Sequence, residues 1–187
     1  MIKIRQALSS DTPGICNIHQ QSFGTSQGKE IIDLVTQLLA DQTAYPLTSL
    51  VAEVTETKQQ VLGHILFTNV RITGLNHSTP NINAQILAPL AVLPTHQRLG
   101  IGSCLILEGL KQLAANGVDL IFVLGNPDYY AKFGFKPARG FGLLAPQPIP
   151  SEYDDAWMVL ALTSGILGNI RGQVTCSNTL NQLQHWQ

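Results

Sequence analysis

Hydrophobic and polar positions change period several times along the chain. Ile2 and Ile4 alternate with Lys3 and Arg5, which predicts a strand over 2–6. Ser10-Asp11 ahead of Pro13 reads as a cap and first helical turn, with Ile15, Ile18 and Ser22 on one face up to Phe23-Gly24. Ile31, Ile32, Val35, Leu38 and Leu39 predict a second helix over 29–40, and Pro46 ends the connection after it. Strand-like runs follow at 48–54 and 61–70, joined by a polar turn over 55–60. Residues 71–83 read as a polar loop or ragged hairpin. Ala84–Leu93 is too continuously apolar for a half-exposed strand and is expected near the centre of a sheet.

Helical spacing returns from Ile101 to about Asn116 through Leu105, Ile106, Leu110 and Leu113, and Asn116-Gly117 ends it. Val118–Leu124 predicts a buried strand, Pro127–Phe133 a short helix, and 156–162 a last clear strand that has the composition of an edge able to pair. Gly140–Pro150 reads as a loop that packs. The tail from Thr163 shows no period. Hairpin signals in the first half and strand–helix–strand order in the second predict an α/β fold. Its central sheet is expected to be mixed.

The chain has 187 residues and no internal repeat or linker, so one domain spanning 1–187 is expected. At 44% apolar residues it can fill a core without staples. A formal charge of −1 argues against nucleic acid held by bulk electrostatics. Cys16, Cys104 and Cys176 are odd in number and far apart, so neither a disulfide framework nor a metal site is expected. Met1–Arg5 reads as a strand rather than a signal peptide, and no apolar run is long enough to span a bilayer. A soluble cytoplasmic protein without a membrane partner is the expectation.

The chemistry is concentrated after the central strand. Leu87–Val92 runs into a turn with Gly100 and Gly102, which opens a helix. Such glycines let backbone N–H groups converge on one concavity, and a helix N-terminus adds its positive dipole end. The turn therefore suits a phosphate or pyrophosphate, with Arg98 adding charge. A Walker loop would need Lys after the second glycine, where Ser103 stands; a dinucleotide fingerprint would need glycine at 105, where Leu105 stands.

The pattern that fits is Gln97-Arg-Leu-Gly100-Ile-Gly102, which resembles the acyl-CoA motif of the GNAT superfamily of N-acetyltransferases. One helix and one strand later, Leu124-Gly-Asn-Pro-Asp-Tyr-Tyr-Ala-Lys-Phe-Gly-Phe135 resembles the family's Y-x-x-x-G-F element. This second form is most similar to a bacterial, YhbS-like branch. The resemblance covers about 3–162, leaving 163–187 as an extension of uncertain structure.

The resemblance implies a mostly antiparallel sheet flanked by helices, with a splayed central strand pair. It also implies transfer of an acetyl group from acetyl-CoA to a primary amine by direct attack. By the same analogy the backbone from Gln97 through Arg98, Leu99, Gly100, Ile101 and Gly102 to Ser103 would hold the pyrophosphate. Leu90, Ala91 and Val92 would receive the pantetheine arm, with a bulge near Pro89–Leu90 opening the slot. Asn126 and Tyr130 would complete the cofactor side. Tyr130 would protonate or stabilise the leaving thiolate, and Val92 N–H would polarise the carbonyl. Many relatives carry a glutamate base on the central strand; Gln85–Leu90 has no carboxylate. Glu53, Glu56 and His64 remain as candidates, His64 with a competing reading as a half-buried sheet histidine.

His96 is expected to face solvent, Cys104 to pack against the sheet, and Phe133 and Phe135 to lie in the core. Tyr129 is read as structural or substrate-facing. Residues 22–46 would line the acceptor groove, with 71–83 and the tail after 140 closing it; Glu152, Asp154 and Asp155 read as a solvated loop. The acceptor would be an amine-bearing small molecule or peptide, and the protein a monomer or homodimer. The alternative is a non-catalytic acyl-CoA-binding or sensing module.

Overall fold

The alternation at the N-terminus becomes strand β1 (Ile2–Gln6) in the computed structural model, which describes residues 1–55, 60–74 and 81–186. Helix α1 (Thr12–Ala40) follows, then β2 (Thr48–Val54), β3 (Val61–Thr73), β4 (Ala84–Val92), α2 (Ile101–Ala115), β5 (Leu120–Leu124) and the one-turn α3 (Pro127–Tyr130). The last strands are β6 (Lys136–Pro137), β7 (Leu143–Leu144), β8 (Trp157–Ala161) and β9 (Gly172–Thr175). The turn expected over 55–60 lies mostly outside the described residues, as does Glu56, and the 71–83 loop lies partly outside them.

The strands run in the order β1-β2-β3-β4-β5-β8-β6, with β9 joining the far end of β3 and β7 joining β9. Among these strands β4–β5 and β7–β9 pair in parallel and the other pairs are antiparallel. The mixed sheet expected from the element order, and its mostly antiparallel pairing implied by the resemblance, are therefore present. β8 differs from expectation. It is flanked by β5 along its length and by β6 at Met158 and Val159, so it is not the free edge its composition suggested.

Period-two alternation explains why the central strands are apolar throughout. Leu87, Ala91, Ile121, Val123 and Met158 enter one core cluster with the α2 residues Ile101, Leu105, Ile106, Leu110 and Leu113. Ala84, Ile86, Leu120, Phe122, Trp157 and Val159 enter a second cluster on the other face. That second cluster is covered by Leu34 and Leu38 and by residues no period announced: Ile170, Val174, Cys176, Leu180 and Trp186. Hydrogen bonds tie this tail down. Asp41 accepts from Thr179 N at 2.9 Å, and Thr43 Oγ1 from Asn178 N at 2.8 Å. Trp186 Nε1 donates to Leu180 O at 2.8 Å.

The two expected helices are one element with a break at Gly24 (φ 75°, ψ −175°). Only glycine adopts that conformation without strain. Gly24→Ala is expected to cost about 1–3 kcal/mol. With about 2–4 °C per kcal/mol for a chain of this size, the melting temperature should fall by several degrees. An unchanged melting curve would mean that the break straightens freely.

Candidate active site

β4 and β5 pair only over Ala84–Leu87 and Leu120–Val123. On its other side β4 slips against β3: Ile65 faces Leu90 while Phe67 faces Leu87, so Ala88-Pro89 form a bulge opposite Leu66. Beyond the bulge β4 stays on β3 and parts from β5. The N–H groups of an antiparallel strand alternate between its two edges. Leu93 N–H goes to Leu62 O at 2.8 Å, so those of Val92 and Leu90 turn toward the opened edge. The Val92 carbonyl on that edge already accepts from Ser22 Oγ at 2.8 Å and Gln97 Nε2 at 3.0 Å.

Two cavities share the opening. One is lined by Leu90–Val92, Gln97, Arg98, Gly100–Ser103, His96, Tyr129 and Lys132, with Ser22 and Phe23 of α1. At its floor Arg98 (φ 63°) and Gly100 (φ 82°) both take left-handed backbone, which turns successive N–H groups inward. Cys104 N–H closes the first turn of α2 on Gly100 O; the N–H groups of Ile101, Gly102 and Ser103 precede it and have no intrahelical carbonyl to reach. That turn carries no acidic residue. Arg98 and Lys132 supply positive charge, and the Lys132 ammonium lies 5.8 Å above the Tyr129 ring. Tyr129 bonds to Ser103, though burial dominates and holds its phenol above the usual range. These residues can hold a phosphorylated ligand.

The second cavity, about 460 Å³, shares Phe23 and Leu90 with the first. Its inner end is built from Leu87–Leu90, Val123–Asn126 and Tyr130. Asn126 caps α3 by accepting from Asp128 N at 2.8 Å and Tyr129 N at 3.3 Å, which fixes the start of the tyrosine pair. A side chain on Gly125 would meet Tyr130 Cε2 at 2.4 Å, so glycine is what lets this ring lie on the strand end. Tyr130 is 8% exposed and its hydroxyl makes no hydrogen bond to another described residue. Burial, then Tyr129, raises its pKa strongly, so the phenol stays protonated.

The structure brings most expected cofactor-side residues together, with two departures. Leu99 is 66% exposed and does not line the cavity, and Ala91 sends its side chain into the core. His96 is half-buried and lines the cavity rather than facing solvent alone, while Cys104 is exposed rather than packed on the sheet. Ser22 and Phe23, in the stretch expected to line the acceptor groove, wall this cavity as well, and Lys132 joins them without a signal in the sequence.

The expected base candidates are corrected by position. Glu53 is not at the opening: the β2 register sends it toward Arg5, whose Nε donates to Glu53 Oε2 at 2.6 Å. Arg5 also holds Asp11 at 2.6 Å, so Glu53 belongs to a surface ion-pair cluster. His64 is fully buried, not half-buried, and lines neither cavity. It sits between Ser49 Oγ (3.0 Å from Nε2) and His19 Nε2 (2.8 Å from Nδ1). His19 in turn stacks on Phe23, one layer behind the cavity wall. Glu152, Asp154 and Asp155 also lie away; Asp154 pairs with Arg139. Among the described residues no group of His, Cys, Asp and Glu is arranged to hold a metal, and no helix is long and apolar enough to cross a membrane.

The histidine pair has a measurable consequence. Burial depresses His19 to about 4 and His64 to about 3, the second also through its histidine neighbour. The unfolded chain takes protons near pH 6.5 that the folded chain refuses. Stability is therefore complete above about pH 6.5 and declines as pH falls toward 4, by up to about 1.4 kcal/mol per pH unit for each histidine. A melting series should show a steady loss from pH 7 to 5; a flat series would mean that the pair accepts protons without opening.

Comparison with known proteins adds the following. A family model described as "Acetyltransferase (GNAT) domain" matches residues 47–137. The uncharacterized N-acetyltransferase YjhQ of Escherichia coli K12 is 39% identical over 170 residues, covering 90% of this chain and 88% of that protein. The crystal structure of the GNAT family N-acetyltransferase YhbS from Escherichia coli, in complex with CoA, superposes with a TM-score of 0.83 at 28% identity over 97% of this chain and 92% of that one. A GNAT family acetyltransferase from Brucella melitensis, in complex with acetyl-CoA, gives 0.72 at 31% identity over 96% and 98%.

Proposed function

The chain belongs to the GNAT family of acetyltransferases, and on that premise we propose that it transfers the acetyl group of acetyl-CoA to a primary amine by direct attack. The observation that carries this reading is that the two cavities adjoin, with Phe23 and Leu90 in the walls of both. An anion-ready turn lines one, and a protonated, unpartnered phenol lines the inner end of the other.

On this reading the N–H groups of Gly100–Ser103 and the charges of Arg98 and Lys132 hold the pyrophosphate. Leu90 hydrogen-bonds the pantetheine arm along the opened edge. Because the Val92 carbonyl is already taken by Ser22 and Gln97, its N–H is the group left to polarise the thioester carbonyl. The amine must arrive with a free lone pair, and apolar walls favour the neutral form by desolvation. Nitrogen bonds to the acetyl carbon, the C–S bond breaks with its electron pair on sulfur, and the proton released by nitrogen ends on the thiolate. Tyr130, too weak an acid to give up its proton outright, donates a hydrogen bond to sulfur while charge builds there.

The test is thiol release from acetyl-CoA with a panel of primary amines, against a control without amine. Amine-dependent release with stoichiometric acetylamide supports the proposal. Tight acetyl-CoA binding with no release for any amine would reject transfer and leave an acyl-CoA-binding module, the role that the lack of a carboxylate on the central strand at Gln85–Leu90 favours.

A further inference from the structure

Resting on the transferase reading, we propose that His185 is the base that takes the proton from the acceptor's ammonium before attack. Glu53 and His64, the candidates from the sequence, lie elsewhere, the first held by Arg5 and the second buried against His19. Among the described residues walling the second cavity, Glu30 and His185 are the side chains that can take up a proton below pH 7. Glu30 is exposed and, as a carboxylate, the weaker base; His185 is half-buried.

The tail fixes where His185 stands. Trp186 is buried, donates to Leu180 O at 2.8 Å and packs edge-on against Trp157 with ring centroids 5.6 Å apart. The backbone N–H of His185 closes the preceding turn on Gln182 O at 3.1 Å. Its imidazole makes no hydrogen bond to another described residue, so the ring is uncommitted, unlike those of His19 and His64. His185, Glu30, Leu34 and Gln184 also line an adjoining groove with Lys29 and Asp33, so the imidazole stands where the cavity meets an open path to solvent. The charged and titratable groups facing it are Lys29, Glu30 and Asp33 of α1, with the Tyr130 phenol in the wall of the same cavity. Burial holds His185 below its ordinary value against the pull of Glu30, so at pH 7 the ring is neutral and offers a lone pair.

An ammonium entering past Glu30 gives one proton to an imidazole nitrogen. This leaves a neutral amine and an imidazolium, which discharges to water at the groove. Desolvation drives the exchange, because the ammonium loses hydration as it moves inward while the imidazolium stays near solvent. The second proton, released by nitrogen after attack, still ends on the thiolate.

The experiment is the pH profile of kcat/KM for an amine that the parent protein acetylates. It is measured on the full-length parent, His185→Gln and His185→Asn, with acetyl-CoA binding and melting temperature recorded for each. The expected result at pH 7 is a loss of about a hundredfold or more with donor binding unchanged. The deficit should shrink by up to about tenfold per pH unit toward the amine's own pKa, ~10.4 for a lysine-like amine, because solution then supplies the neutral form. A merely structural histidine would leave a deficit independent of pH. Glu30→Gln should change turnover much less. A parent-like profile in both histidine variants, a deficit constant with pH, or an equal loss in Glu30→Gln overturns the assignment and leaves acetyl transfer standing. No acetylation of any amine by the parent protein overturns the transferase reading, and this inference with it.

Discussion

Gly102→Arg is expected to abolish acetyl-CoA binding while the protein stays folded. A Cβ on Gly102 would meet the Tyr129 hydroxyl at 2.8 Å, then Val92 Cγ2 at 3.7 Å and Leu90 Cδ2 at 4.0 Å. The vector therefore leaves the helix into the opening between the anion-ready turn and the parted strand. The near clash is with the far end of a flexible side chain, and arginine has better helix propensity than glycine, so the fold has little to lose. The rest of the arginine, however, must lie where the pyrophosphate and the pantetheine arm would meet. Calorimetry should show no binding at acetyl-CoA concentrations that saturate the parent protein, with the ligand-free melting temperature within a few degrees of it. Gly102→Ala, which displaces only the Tyr129 hydroxyl, should weaken binding far less. Retained binding in the arginine variant would move the pyrophosphate site off this turn.

Tyr130→Phe should lower turnover by one to two orders of magnitude and change acetyl-CoA affinity much less. The phenol is buried on the Gly125 backbone with its ring against Phe135 (centroids 5.6 Å apart), and phenylalanine keeps both contacts. What is lost is one donor to a developing thiolate. Hydrogen bonds to charged groups contribute about 1.5–3 kcal/mol, which corresponds to a rate loss of roughly tenfold to a hundredfold or somewhat more. Because the charge exists only as the C–S bond breaks, the loss belongs in kcat rather than in binding. Unchanged turnover with any accepted amine would remove Tyr130 from the leaving-group role.

How much of this could be read from the chain depends on how local each feature is. Ala84–Leu93 reads as a central strand because both of its faces are buried, Leu87 and Ala91 against α2 and Ala84 and Ile86 against the tail cluster. The anion-ready turn is legible for the same reason: Gln97 to Gly102 is one short segment whose glycines carry the conformational demand. The bulge at Ala88-Pro89 was also expected within a residue.

The far wall of the second cavity was not legible. Leu180, Gln184, His185 and Trp186 belong to a stretch with no helical or strand period, held in place by Asp41 and Thr43 some 135 residues earlier. Burial works against the Asp41 charge, but hydrogen bonds from Thr43 and Thr179 outweigh it and draw Asp41 to about 2. Glu53 and His64 show the complementary difficulty. Strand membership is visible in sequence, yet alternation alone does not say which neighbour a side chain meets. Arg5 took one and His19 the other.

The most direct measurement is the melting temperature of the protein with saturating acetyl-CoA, with NADH and ATP as controls. At about 100 times its dissociation constant a ligand adds about 2.7 kcal/mol. For a chain of this size each kcal/mol raises the midpoint by about 2–4 °C. The expected result is a rise of roughly 5–11 °C with acetyl-CoA and none of that size with the controls. No rise with acetyl-CoA at any attainable concentration would contradict the assignment of the Gln97–Gly102 turn as a donor site, and the acetyl-transfer reading with it.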